Sequence, residues 1–119
     1  MRLTLLKSKV HRATVTDADL DYEGSISIDP KLCDLAKLNE FERVEIYNCN
    51  NGARFATYVI YGKEGEICLN GAAARHVHRG DKVIIACYAD FEASEAAEHK
   101  PTMVFVDESN QPKEIKSRG

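Results

Sequence analysis

The sequence predicts a mainly β protein with one or two short helices, and three observations carry that prediction. Short stretches rich in β-branched and aromatic residues recur from the amino terminus onward. A helical period is convincing in only one or two places, and turn-forming residues punctuate the intervals between strands. At 119 residues the chain has the length of a single domain, residues 1 to 119, with room for one core and one principal site.

Taken in order, Leu3 to Val10 alternates loosely. Ser25 to Ile28 puts Ile26 and Ile28 on one face, and Arg43 to Tyr47 does the same with Val44 and Ile46. Each reads as a half-buried strand. The turn signal Asn50, Asn51, Gly52 then leads into Arg54 to Tyr61, so these two strands form a hairpin with a slightly enlarged loop. Ile67 to Leu69 continues the sheet. Asp29 is placed to cap a helix whose first residue is Pro30, with Leu32, Leu35, Ala36 and Leu38 as its apolar stripe. The small residues from Asn70 to Ala74 suit a tight connection where backbones approach closely. Val83 to Tyr88 and Met103 to Val106 are two further strands, separated by one or two helical turns within Glu92 to Glu98. The polar segment 109–119 is expected to fray.

Composition narrows the function classes. A formal charge of −3 offers no general field for nucleic acid or an anionic membrane. No apolar run reaches the roughly 20 residues that span a bilayer, and the amino-terminal residues lack the pattern of an export signal, so a cytoplasmic protein is expected. Cys33, Cys49, Cys68 and Cys87 lie too far apart for zinc or redox spacing and read as reduced thiols. His76 and His78 alternate but lack a third ligand with supporting spacing; they read as surface histidines, and no metal is expected. P-loop, GxGxxG, HExxH and GxSxG motifs are absent.

What stands out is Tyr22, Glu23, Gly24, Ser25 at a strand start, where a glycine permits an unusual backbone and a hydroxyl directly follows its carbonyl. Attack of the Ser25 hydroxyl on the Gly24 carbonyl would turn the peptide into an ester. Elimination would then leave a dehydroalanine, which hydrolyses to a pyruvoyl group and ammonia. Taken alone, a Gly-Ser pair is most often an ordinary turn.

The pair does not stand alone. The blocks SKVHRATVTDADLDYEGSISID, NNGARFATYVI, NGAAAR and GDKVIIACYADF, in that order and spanning roughly residues 3 to 107, closely resemble the bacterial aspartate 1-decarboxylase family. The resemblance implies a small double-psi β-barrel that assembles as a homotetramer, with sites between adjacent subunits. It implies an inactive proenzyme that cleaves before Ser25 into a β chain, 1–24, and an α chain, 25–119, whose first residue carries a covalent pyruvoyl group. No pyridoxal phosphate and no metal are then needed. Forming a Schiff base with L-aspartate, that group would accept electrons as the α-carboxylate leaves as carbon dioxide, yielding β-alanine for pantothenate biosynthesis.

The same resemblance assigns site residues. Tyr58 matches the proton donor, and a phenol protonated at neutral pH is competent for that step; its plainer role is hairpin packing. Arg54 and Lys9 match the basic positions that bind substrate carboxylate, Arg54 through a bidentate guanidinium fork; without the resemblance both read as solvated surface charges. Thr57 matches a residue that binds substrate and hydrogen-bonds the oxyanion of self-cleavage, although by itself it is a strand threonine. Gly71, Ala72 and Ala73 match the substrate loop, which is equally a tight turn. Asn70 is placed to orient the pocket, and His11 and Tyr22 match lining positions. Some relatives use an accessory protein for maturation. The rival reading is a non-catalytic barrel acting as a binding module, since fold alone does not fix chemistry.

Overall fold

In a computed structural model that describes residues 1–117, loose alternation carries the amino-terminal segment into one long strand, β1 (Arg2–Thr14). Its buried positions, Ser8, Val10 and Ala13, face the core. A short strand β2 (Asp17–Asp19) follows, then β3 (Ser25–Ile28) and helix α1 (Pro30–Ala36). The Asp29 carboxylate caps this helix by accepting from the Lys31 N–H at 2.8 Å, and its other oxygen accepts from the Gly65 N–H at 2.8 Å. Lys37, in the left-handed region at φ 59°, ends it.

Strands β4 (Arg43–Asn48) and β5 (Arg54–Tyr61) form the expected hairpin, with Arg43 paired to Tyr58 and Tyr47 to Arg54. The chain continues through β6 (Ile67–Asn70), a 3-10 turn over Gly71–His76, β7 (Lys82–Glu92), α2 (Ala93–Ala96), β8 (Thr102–Val106) and β9 (Pro112–Ser117). The strands lie in the order β2-β6-β3-β5-β4-β7-β1-β8-β9, in which β1 with β8, β2 with β6 and β3 with β5 run parallel. Val10, Ile26, Ile46, Val59, Leu69, Ile85 and Val104 come from strands spread across that order, yet belong to one buried cluster. The sheet must therefore curl around a single core, which makes the mainly β expectation a small β-barrel.

Two expectations need correction. β3 is buried along its whole length rather than half-buried, because β6 and β5 flank it and both of its faces are covered. The carboxyl segment does not fray from residue 109: Pro112–Ser117 pairs antiparallel with β8, while Arg118 and Gly119 lie outside the described residues. Sequence polarity signalled a loose tail because a strand at the sheet's end, with one face in water, has no need of an apolar alternation.

Asn110 anchors that return. Fully buried and at φ 60°, it accepts from the Thr14 N–H at 2.7 Å and donates to the carbonyls of Thr14 and Gly65, each at 2.9 Å. Asn110→Ala removes three hydrogen bonds and replaces a residue type that tolerates the left-handed region with one that adopts it less readily, so it is expected to destabilise the fold by about 2–4 kcal/mol. Urea denaturation measures this, and a loss below about 1 kcal/mol would mean that water replaces the bonds.

Candidate active site

The antiparallel register of β3 and β6 sets Ser25 opposite Asn70 and Ser27 opposite Cys68, with Ile26 opposite Leu69 between them. Because side chains alternate, Ile26 and Leu69 enter the core while the four polar side chains share the other face. Ser25 is only 1% exposed. Its hydroxyl donates to the Glu23 carbonyl at 3.1 Å and accepts from Asn70 Nδ2 at 2.9 Å. Asn70 Nδ2 also donates to Ser27 Oγ at 3.0 Å. The resemblance placed Asn70 as an orienting residue, and here it contacts the Ser25 hydroxyl directly.

The conformational demand falls on a different glycine from the one the sequence suggested. Gly24 lies outside the positive-φ region, and a β-carbon added to it would meet nothing within 4 Å. Gly71, at φ +66°, packs so closely that its β-carbon would lie 2.6 Å from the Gly24 Cα and 2.7 Å from the Gly24 nitrogen. The 3-10 turn at Gly71 therefore presses against the Gly24–Ser25 segment, and only a glycine permits that approach.

Two clefts flank the junction. One, of about 370 Å³, is lined by Gly24, Phe55, Thr57, Tyr58, Ala72 and Ala73 among others. The second, of about 330 Å³, includes Tyr22, Ser25, Phe41 and Tyr58. Tyr58 borders both, one on the Gly24 side and one on the Ser25 side. His76 is exposed, as its reading as a surface histidine expects, and it also lines the first cleft and stacks on Phe55 at 4.8 Å between ring centres. Its position depends on the 3-10 turn, which an alternation of histidines does not reveal.

Three predicted residues stand elsewhere within the chain. Lys9 and His11 lie on β1, four places from β3 in the strand order, and His11 packs against Phe105 at 5.2 Å. Burial, and then the charges of Lys9 and Arg12, hold the His11 imidazole below its ordinary pKa. Arg54 opens β5 without lining either cleft; its guanidinium sits 4.1 Å above the Tyr47 ring. The Tyr47 hydroxyl is 2.9 Å from that of Tyr88, and burial together with this bond raises its pKa to about 12. Among the described residues, no group of three or more histidine, cysteine, aspartate or glutamate side chains is placed to hold a metal ion.

The Gly71 contact makes an asymmetric prediction. Gly71→Ala should destabilise the fold by more than the roughly 1–2 kcal/mol that a positive φ alone costs, because the added carbon also collides with the Gly24 backbone. Gly24→Ala should stay within about 1 kcal/mol of the parent. Chemical denaturation of both variants in a Ser25→Ala background is the check, and equal losses would refute the asymmetry.

Comparison with known proteins supplies the family. The family model described as aspartate decarboxylase matches residues 1–113. An aspartate 1-decarboxylase of Bdellovibrio bacteriovorus is 62% identical over 111 residues, 93% of this chain and 90% of that protein. The aspartate 1-decarboxylase of Ralstonia nicotianae is 55% identical over 119 residues, covering 98% and 99%, and that of Clostridium acetobutylicum is 60% identical over 112 residues, covering 92% and 88%. With matches of this extent running through both strands and the turn that build the Gly24–Ser25 junction, the chain belongs to the aspartate decarboxylase family.

Proposed function

We propose that this chain cuts itself between Gly24 and Ser25 and then decarboxylates L-aspartate to β-alanine and carbon dioxide, as a cytoplasmic enzyme of pantothenate biosynthesis. The observation that carries the reading is the buried Ser25 hydroxyl, held by Asn70 Nδ2 at 2.9 Å beside the Gly24 carbonyl to which Ser25 is joined. Family membership supplies the reaction class.

Cleavage begins with Ser25 Oγ bonding to the Gly24 carbonyl carbon. The C–N bond then breaks, and the proton from the hydroxyl ends on the released Ser25 amine. Asn70 Nδ2 stabilises charge as it gathers on Oγ, while Thr57, in the cleft beside Gly24, is the candidate donor to the carbonyl oxygen. Loss of the Ser25 α-proton and departure of the Gly24 carboxylate leave a dehydroalanine, and water releases ammonia and leaves the pyruvoyl group. The residues present fit such a group. Gly24, Gly71, Ala72 and Ala73 keep bulk away from the junction, and a buried amide donor faces Ser25. A covalent pyruvoyl supplies an electron sink for loss of the α-carboxylate. Tyr58, bordering both clefts, delivers the proton to the substrate carbon.

Recognition of the two substrate carboxylates falls to Arg54 and Lys9, with Gly71, Ala72 and Ala73 offering close backbone approach and His11 and Tyr22 lining the site. Lys9, His11 and Arg54 do not border the clefts at Gly24–Ser25 of their own chain. Placing them at the cleft of a neighbouring subunit, in a homotetramer, reconciles their assigned roles with their positions. Two features favour that arrangement. Leu20, Tyr22, Phe41 and Tyr61 are exposed apolar side chains clustered in sequence or in space near the junction, and His11 Nδ1 is buried without a hydrogen-bond partner among the described residues.

Intact-mass measurement after warm incubation, with and without an accessory protein, is the test. The expected result is two fragments, 1–24 and 25–119, the larger lighter by one ammonia than its serine-ended form, with Ser25→Ala remaining whole. A chain that stays intact under every condition favours a non-catalytic barrel. Once processed, Tyr58→Phe should cleave normally but release β-alanine about 100-fold more slowly or worse. Unchanged turnover would remove Tyr58 as the proton donor.

A further inference from the structure

The face shared by Ser25, Ser27, Cys68 and Asn70 contains a feature that the reaction described above does not use. A carboxamide is nearly symmetric in shape, but its oxygen only accepts hydrogen bonds and its nitrogen only donates them. The Ser25 hydroxyl already donates to the Glu23 carbonyl, so its oxygen is left to accept from Nδ2, whereas the Ser27 hydroxyl can donate or accept. The other end of the amide reinforces that orientation. Asn70 Oδ1 accepts a hydrogen bond from Cys68 Sγ at 3.3 Å, and all four side chains are buried.

We propose that Cys68 is a positioning residue for self-cleavage: its S–H holds the Asn70 carboxamide with Nδ2 toward Ser25 Oγ. This rests on the proposed role of Ser25 as the attacking group. With the amide held that way, the attacking oxygen meets a donor that stabilises it as its proton leaves for the Ser25 amine, and in the uncleaved chain the hydroxyl is held by the Glu23 carbonyl, which accepts from Oγ at 3.1 Å. A reversed amide would present its oxygen to Ser25 and offer the developing alkoxide no donor. Cys68 itself forms no bond and transfers no proton in this step. Burial, followed by the carboxylates of Glu66, Asp17 and Asp19, raises its thiol pKa to about 11, so the sulfur keeps the proton it must donate at neutral pH. The same side chain borders the cleft formed by Asp17, Tyr22, Tyr61 and Glu66, so other polar groups are near, but among the described residues it is Cys68 that donates to Asn70 Oδ1.

The test compares the first-order rate of chain scission, read by intact mass, for the parent, Cys68→Ser, Cys68→Ala and Cys68→Val. Serine keeps a donor, whereas valine keeps bulk without one and so separates hydrogen bonding from packing. The expected result is cleavage within about twofold of the parent for Cys68→Ser, and about five- to tenfold slower for both Cys68→Ala and Cys68→Val, the loss of one hydrogen bond. Fully processed enzyme of each variant should retain its KM for aspartate. Exchange of the Asn70 side-chain amide protons in freshly made, uncleaved chain gives a second readout: protected in the parent and Cys68→Ser, fast in Cys68→Ala and Cys68→Val. Parental cleavage rates in the two donorless variants, or equal slowing in all three, would overturn the proposal. If the parent never cleaves, the reading of function fails, and unchanged amide exchange across the variants would separately show that Cys68 does not orient Asn70.

Discussion

The register between β3 and β6 is the constraint on which the rest of this molecule depends. It sets Ser25 against Asn70 on one face and Ile26 against Leu69 on the other, so the same pairing that fills the core also positions the Ser25 hydroxyl, the attacking group of the proposed self-cleavage. A slip of one residue would exchange the faces, driving isoleucines out of the core and burying hydroxyls there without partners. Chemistry and stability are thus enforced by one set of ladder bonds. Strands β5 and β6 pair with β3 on either side and so fix the strand that follows the junction.

Backbone proximity extends that constraint beyond the strands. β6 ends at Asn70, and the next residue, Gly71, turns at a positive φ directly against Gly24. One short segment of chain therefore contributes the amide that meets Ser25, the close wall behind Gly24 and, two residues on, the small side chains of Ala72 and Ala73 in the adjoining cleft. Asn110 performs a comparable task at the far end of the sequence, tying the loop before β9 to Thr14 and Gly65. Gly65 in turn donates to the carboxylate of Asp29, the cap of the helix that follows β3. Segments remote in sequence thereby brace both ends of the strand carrying Ser25.

Much of the fold was legible from local pattern, because β3, the cap and start of α1, and the β4–β5 hairpin each have causes within a few residues. What escaped were features whose cause lies elsewhere in the chain. β2 is three residues long and exists only through its partner β6, and β9 is polar along most of its length and is held by β8. Burial of β3 on both faces could not be read from Ser-Ile-Ser-Ile, which alternates as a half-exposed strand would. At the site, the Gly-Ser pair drew attention to Gly24, but the steric need belongs to Gly71, forty-seven residues later by the numbering of the chain. His76 and Cys68 were missed for the same reason, since their neighbours Phe55 and Asn70 become meaningful only once the turn and the register are known.

The distribution of charge separates two tasks that the family resemblance had merged. Ser25, Asn70, Gly71, Thr57 and Tyr58 are gathered by β3, β5, β6 and the turn after it, and there is no lysine, arginine, aspartate or glutamate among them. The cations assigned to aspartate lie on β1 and at the opening of β5, outside the clefts at the junction. Under the proposed function, bond cleavage therefore draws on neutral donors within one chain, where buried hydrogen bonds gain strength from a low-dielectric setting. On the same proposal, recognition of a dianionic substrate would draw instead on charges brought from a second copy. Such a division would let cleavage proceed with the fold of one chain, while substrate binding waits on assembly.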